Sequence, residues 1–155
     1  MRIIRGDLDH PDIINLLKFH LDTNIAVTPV GSVHALDLDA LKVPEVAFFA
    51  GWQEKTPDTE LLVIGALKAI EPGHGEIKSM RTVEAHRAKG LGAQMLDHII
   101  AHASQSGMNR LSLETGSFDY FEPARKLYEK RGFTYCEPFA GYTPDPNSAF
   151  MTKVL

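Results

Sequence analysis

The run Gly75-Glu76-Ile77-Lys78-Ser79-Met80-Arg81-Thr82-Val83 and, three residues on, Arg87-Ala88-Lys89-Gly90-Leu91-Gly92 together decide how this chain folds. The first run carries β-branched residues and no helix cap, so it predicts a strand. Beyond the second, Leu91, Met95, Leu96, Ile99, Ile100 and Ala103 recur on one face at helical spacing. Gly107 predicts a left-handed stop. Residues 80–107 therefore read as the end of a strand, a glycine turn and a helix. A helix N-terminus leaves several backbone N–H groups without an intrahelical partner, and the macrodipole adds partial positive charge there. Such a turn suits a phosphate or pyrophosphate, and a Cβ at either glycine would hold the anion away from the amides.

The turn is neither of the two commonest phosphate loops. A P-loop needs Gly-x-x-x-x-Gly-Lys-Ser/Thr, which occurs nowhere in the chain. A dinucleotide fingerprint needs a third glycine where Met95 stands. On its own, a tight strand-to-helix connection explains the hexapeptide as well as an anion site does.

Further along, residues 110–115 look like another strand, and Ala124-Arg125-Lys126-Leu127-Tyr128-Glu129-Lys130-Arg131-Gly132-Phe133 follows it. In this order the glycine turn and the later helix resemble the two signatures of the GNAT superfamily of acyl-CoA-dependent N-acyltransferases. These are the pyrophosphate loop (Arg/Gln)-x-x-Gly-x-(Gly/Ala) and the helix Ala-x-x-Leu-Tyr-x-x-x-Gly-Phe. The resemblance covers about residues 75–139, and Phe121 occupies a position where many members have Asn.

What the resemblance implies is specific. The donor substrate would be acetyl-CoA, with no metal. Arg87, Ala88, Lys89, Gly90, Leu91 and Gly92 would hold its pyrophosphate. The strand edge at Met80, Arg81 and Thr82 would bond the pantetheine, the amide near Met80 polarising the thioester carbonyl. Phe121, Ala124 and Leu127 would complete the cofactor site from the second helix. Tyr128 would be the general acid for the leaving thiolate. Glu114 is the first choice for general base, with Glu76, His34 or an ordered water chain as alternatives. The acceptor would be a primary amine on a small molecule or peptide, walled by residues 24–41 and 142–148. A homodimer is possible, since dimers are common in the family. The rival reading is a non-catalytic acyl-CoA-binding sensor with the same fold, and a nucleotide-binding domain of another class is a third.

Composition sets the outer bounds. At 155 residues, 44 % apolar and 23 % charged, the chain reads as one ordinary globular domain over residues 1–155. A net charge of −4, with no basic run, argues against nucleic acid as a partner. No apolar run approaches the roughly 20 residues of a membrane span. Cys136 is the single cysteine, so no intrachain disulfide forms, and a reducing cytoplasm fits. It reads as a packed thiol rather than a nucleophile.

The remaining order follows from punctuation. Residues 2–5 form an edge strand. Asp9-His10-Pro11-Asp12 starts a helix striped by Ile13, Ile14, Leu16, Leu17 and Leu21, and Thr28-Pro29 ends it. Residues 32–41 read as a shorter helical piece capped by Asp37 or Asp39. Residues 45–54 and 60–70 are strands around a hairpin turn at 55–59. Residues 133–139 and 149–154 read as a closing antiparallel pair. The sum is a mixed, mostly antiparallel α/β sheet with helices on both faces and the strand–glycine turn–helix unit at its centre, whose strand pairs in parallel with residues 110–115. His98 and His102 have zinc-motif spacing, but Ile99 stands where that motif requires Glu, so they read as solvent-facing. Ser117 lacks the second glycine of a nucleophile elbow.

Overall fold

The computed structural model describes residues 1–27, 38–54 and 59–155, with Ile25 described through its backbone alone. The first half runs β1 (Arg2–Arg5), α1 (Pro11–Val27), α2 (Leu38–Leu41), β2 (Val46–Trp52), β3 (Leu61–Glu71) and β4 (His74–Thr82). A 3₁₀ turn at Glu84–His86 precedes α3 (Leu91–Gln105) and β5 (Arg110–Gly116). Another at Asp119–Phe121 leads into α4 (Glu122–Lys130), β6 (Thr134–Tyr135) and β7 (Ser148–Val154). The expected helix cap at Asp37, the hairpin turn at residues 55–58 and His34 lie outside the described residues.

Among the described residues seven strands form one sheet, in the order β1-β2-β3-β4-β5-β7-β6. Of these described strands only β4 and β5 pair in parallel; all other neighbours among them are antiparallel. Residues 61–67 are buried without alternation because helices cover both faces of β3. Val63 and Leu67 face α3, packing with Met95, Leu96 and Ile99. Ile64 and Ala66 face the other way, onto Ile13 and Leu16 of α1 and Leu41 of α2. Each of the larger of these side chains contributes roughly 1.5–3 kcal/mol through burial.

Two departures from regular pairing shape the centre of the sheet. Ile64 pairs with Arg81 and Ala66 with Lys78, so two steps along β3 face three along β4. Ser79 and Met80 fill that interval, and Ser79 sits at φ 55°, a left-handed backbone that a non-glycine residue seldom adopts. This is a β-bulge, and bulges bend the strand that carries them. The second departure lies beside it: β4 and β5 pair only from His74 with Arg110 to Ile77 with Leu113. Past those residues both strands continue, and they part.

Two expectations need correction. The closing strand pair is far shorter than residues 133–139: β6 spans two residues, with one further bond from Cys136 N–H to Phe150 O. Pro138 has no N–H to extend the ladder, and edge-to-face contacts of Phe139 with Tyr142 and Phe150 hold the segment instead. Nor do His98 and His102 face solvent. Both stand edge-on to the Phe49 ring, at 4.8 and 5.1 Å between centroids, and burial lowers the pKa of each.

Candidate active site

Where β4 and β5 part, a cleft of about 640 Å³ opens, bounded by α1, the start of α3 and α4. Its first wall is the glycine turn. Gly90 caps α3 at φ 77° with no side-chain hydrogen bond, and the first turn of α3 holds no acidic residue. The first amide there to find a carbonyl is that of Gln94, bonded to Gly90 O at 3.2 Å. Among the described residues the N–H groups of residues 88–93 meet no partner, at the positive end of a fifteen-residue helix. The two glycines serve different ends. A Cβ at Gly90 would meet nothing within 4 Å, so that glycine is needed for its φ rather than for room. A Cβ at Gly92 would rest 3.5 Å from Leu127 and 3.7 Å from Thr82, inside the cleft. Arg87, Ala88, Gly90, Leu91 and Gly92 all line the cleft. Lys89 does not: its ammonium lies 3.2 Å from His86 Nδ1, and His86 in turn meets Glu60 at 2.7 Å.

The second wall is α4, preceded by Phe121. Phe121, Ala124, Leu127 and Tyr128 line the cleft. A Cβ at Gly116 would collide with the Phe121 ring, so glycine at the end of β5 is what lets that ring fold back over the strand. Tyr128 is 6 % exposed and stands edge-on to Phe133 at 5.7 Å. Its hydroxyl makes no hydrogen bond among the described residues, and burial raises its pKa, so the phenol keeps its proton.

The bulge gives β4 two functional faces. Met80 turns toward α3, where its sulfur, Met95 and Ile99 fill the space over Gly65. Thr82 lines the cleft beside the turn. Glu76, Lys78 and Arg81 share the opposite face, toward α1. There Glu76 Oε2 accepts from Lys78 Nζ at 2.8 Å and from the Tyr142 hydroxyl at 2.6 Å, while Lys78 Nζ also donates to that hydroxyl at 2.9 Å. This triangle occupies Glu76, which is 3 % exposed. Glu114, on β5, lines the same cleft. Burial raises its pKa from 4.5 to about 7, with Ser148 and the Lys78 charge pulling the other way. A carboxyl that changes charge near neutrality is suited to taking a proton from an incoming group.

Sequence reasoning missed His20, Lys78 and Tyr120. Arg81 Nε donates to His20 Nδ1 at 2.9 Å, and Arg81 Nη1 donates to the Tyr120 hydroxyl at 3.1 Å. Burial, aided by the Arg81 charge, lowers His20 to about 4, so the imidazole is neutral. These partners lie 61 and 39 positions from Arg81, and no local pattern marks them. Ser117 donates to Pro146 O at 2.7 Å, and burial pushes the Cys136 thiol pKa up, so neither is an activated nucleophile. Among the described residues no three His, Cys, Asp or Glu side chains gather as metal ligands. No described helix is long and apolar enough to cross a membrane.

Comparison with known proteins identifies the family. Residues 18–133 match the acetyltransferase (GNAT) family. The N-acetyltransferase YsnE of Bacillus subtilis (strain 168), itself uncharacterised, is 50 % identical over 155 residues, all of both chains. The Escherichia coli (strain K12) N-acetyltransferase YedL, also uncharacterised, is 40 % identical over 96 % of this chain and 91 % of its own. A Bacillus subtilis acetyltransferase solved in complex with CoA superposes with a TM-score of 0.68 over 99 % of this chain and 98 % of its own; at 18 % identity it speaks to the fold. With the family matched across most of its length and a full-length relative at half identity, the chain belongs to the GNAT acetyltransferase family.

Proposed function

We propose that this protein, acting as one domain over its 155 residues, transfers an acetyl group from acetyl-CoA directly to a primary amine. The observation that carries the reading is the parted β4 and β5, with the uncapped α3 N-terminus, Tyr128 and Glu114 all opening onto one cleft. Acetyl-CoA, when bound, supplies the thioester. The amides of residues 88–92, with Arg87, hold its diphosphate. The β4 edge from Met80 to Thr82 lies along the pantetheine, and the Met80 amide stabilises the oxyanion that develops on the thioester carbonyl. Glu114 takes a proton from the acceptor ammonium, directly or through water, Tyr128 gives its proton to the departing thiolate sulfur, and the second proton that the nitrogen sheds as the amide forms restores the phenol. No covalent enzyme intermediate is required, because holding amine and thioester together supplies much of the acceleration.

The test is thiol release from acetyl-CoA across a broad panel of primary amines and peptides. Amine-dependent release supports the reading. Tight CoA binding without release with any amine would sink it in favour of a sensor. Two glycine substitutions check the anion site. Gly92→Ala is expected to fold normally, since its Cβ makes only ordinary contacts, and to weaken CoA binding by about 10- to 100-fold, the worth of a hydrogen bond to a charged group. Gly90→Ala is expected to cost about 1–2 kcal/mol of stability for its left-handed φ, read by denaturant unfolding.

A further inference from the structure

Among the described residues that line the cleft, Arg81 is the one cation for which the transfer chemistry above uses only the backbone. Its side chain leaves β4 on the face toward α1, opposite the face that packs on α3. The diphosphate site at the α3 N-terminus therefore does not account for it. Three neighbours fix its plane: Nε donates to His20, Nη1 donates to Tyr120, and the guanidinium carbon lies 5.7 Å above the Phe19 ring. All three are neutral, since Phe19 and Tyr120 carry no charge and buried His20 has lost its proton. Two of five guanidinium donors are used, and no carboxylate pairs with Arg81 among the described residues. Arginine is seldom fully buried unless it is paired. Here the surroundings orient the fork and leave it open toward the cleft.

We propose that Arg81 receives the carboxylate of the acceptor, so that the substrate is a small amino acid bearing amine and carboxylate on one short frame. This rests on the acyl-transfer reading for the identity of the amine. A planar guanidinium held by neutral partners keeps both Nη2 N–H groups and one Nη1 N–H for an anion, and a carboxylate is an anion that a guanidinium binds strongly. Glu114, on the same cleft, meets the ammonium end. The two ends of a zwitterion thus find opposite charges, while Glu76 is already neutralised by Lys78. His20 and Tyr120 act as positioning residues through Arg81.

The experiment compares matched acceptors: each proteinogenic L-amino acid and β-alanine, its methyl ester and its decarboxylated amine. Thiol release is followed at saturating acetyl-CoA. For the preferred side chain, kcat/KM of the acid is expected to exceed that of the ester by about 10- to 100-fold, expressed in KM. In Arg81→Gln that ratio falls to about one, and Arg81→Lys restores part of it. Turnover of esters or bare amines as fast as acids in the wild type overturns the assignment while leaving acyl transfer standing. If neither series is acetylated while the broader panel of amines and peptides is, the assignment is overturned and acyl transfer stands; if that broader panel also releases no thiol, the acyl-transfer reading fails. The inference is then judged by calorimetric titration of N-acetyl amino acids into CoA-loaded protein. Binding weakened at least tenfold in Arg81→Gln upholds it, and absence of binding overturns it.

Discussion

Tyr128→Phe is expected to lower kcat by about 10²- to 10⁴-fold, the usual contribution of a positioned proton donor. Acetyl-CoA affinity should be unchanged. The two effects separate because the ring and the hydroxyl have different tasks. The ring is 6 % exposed and packs edge-on against Phe133 in the core that α3 and α4 cover, and phenylalanine preserves that contact. The hydroxyl makes no hydrogen bond among the described residues, so its removal orphans no partner, and stability should change by less than about 1 kcal/mol. Burial holds the phenol pKa above its ordinary value, so the group is a proton donor throughout any accessible assay range and no new pH dependence should arise from it. Steady-state kinetics, CoA titration and thermal unfolding on one preparation read all three. A variant with wild-type kcat would make Tyr128 a core tyrosine and remove the acid from the mechanism.

How much of this was legible in the sequence depends on whether the information is local. The Gly90 and Gly92 turn, the α3 stripe and the Tyr128 helix are patterns within about one helix length, and the structure follows them closely. Gly107 and Gly132 stop α3 and α4 at φ 82° and 86°, as glycines after a periodic run should. The run Lys78-Ser79-Met80-Arg81-Thr82 lacks clean alternation, which is compatible with a bulge but does not reveal one. Its existence depends on β3 counting two residues where β4 counts three, which one strand cannot reveal. The two-residue β6 was overread because Phe139, beyond Pro138, has an aromatic strand former's composition but packs in a ring cluster. His98 and His102 were misread as solvent-facing because their common partner, Phe49, lies on β2, about fifty positions earlier. The charged side of the cleft was least legible. Lys78 meets Tyr142 across 64 positions and Arg81 meets His20 across 61, so topology alone brings these groups together.

Glu114→Gln tests the base, and activity and stability should move in opposite directions. The carboxyl titrates at about 7 in the folded protein, raised chiefly by burial, against an ordinary value of 4.5. Only the ionised form accepts a proton, so kcat/KM of the wild type should climb with pH toward about 7 and level above it. In Glu114→Gln that rise should vanish, and the rate at pH 8 should fall by about 10²- to 10⁴-fold. Linkage fixes the other sign. A carboxyl whose pKa is higher in the folded state favours folding while it is protonated, and this benefit is lost as pH rises from about 4.5 to about 7. At pH 8 the buried charge therefore burdens the fold, by up to roughly 3 kcal/mol for a shift of this size. Glutamine, neutral and nearly isosteric, removes that burden, so denaturant unfolding at pH 8 should find the variant the more stable protein, with the difference shrinking toward pH 4. A carboxylate retained for an ion pair would behave in the reverse manner, costing stability when neutralised and leaving the rate untouched. Gain of stability with loss of rate is the signature of a base kept in an unfavourable site for the sake of its proton affinity.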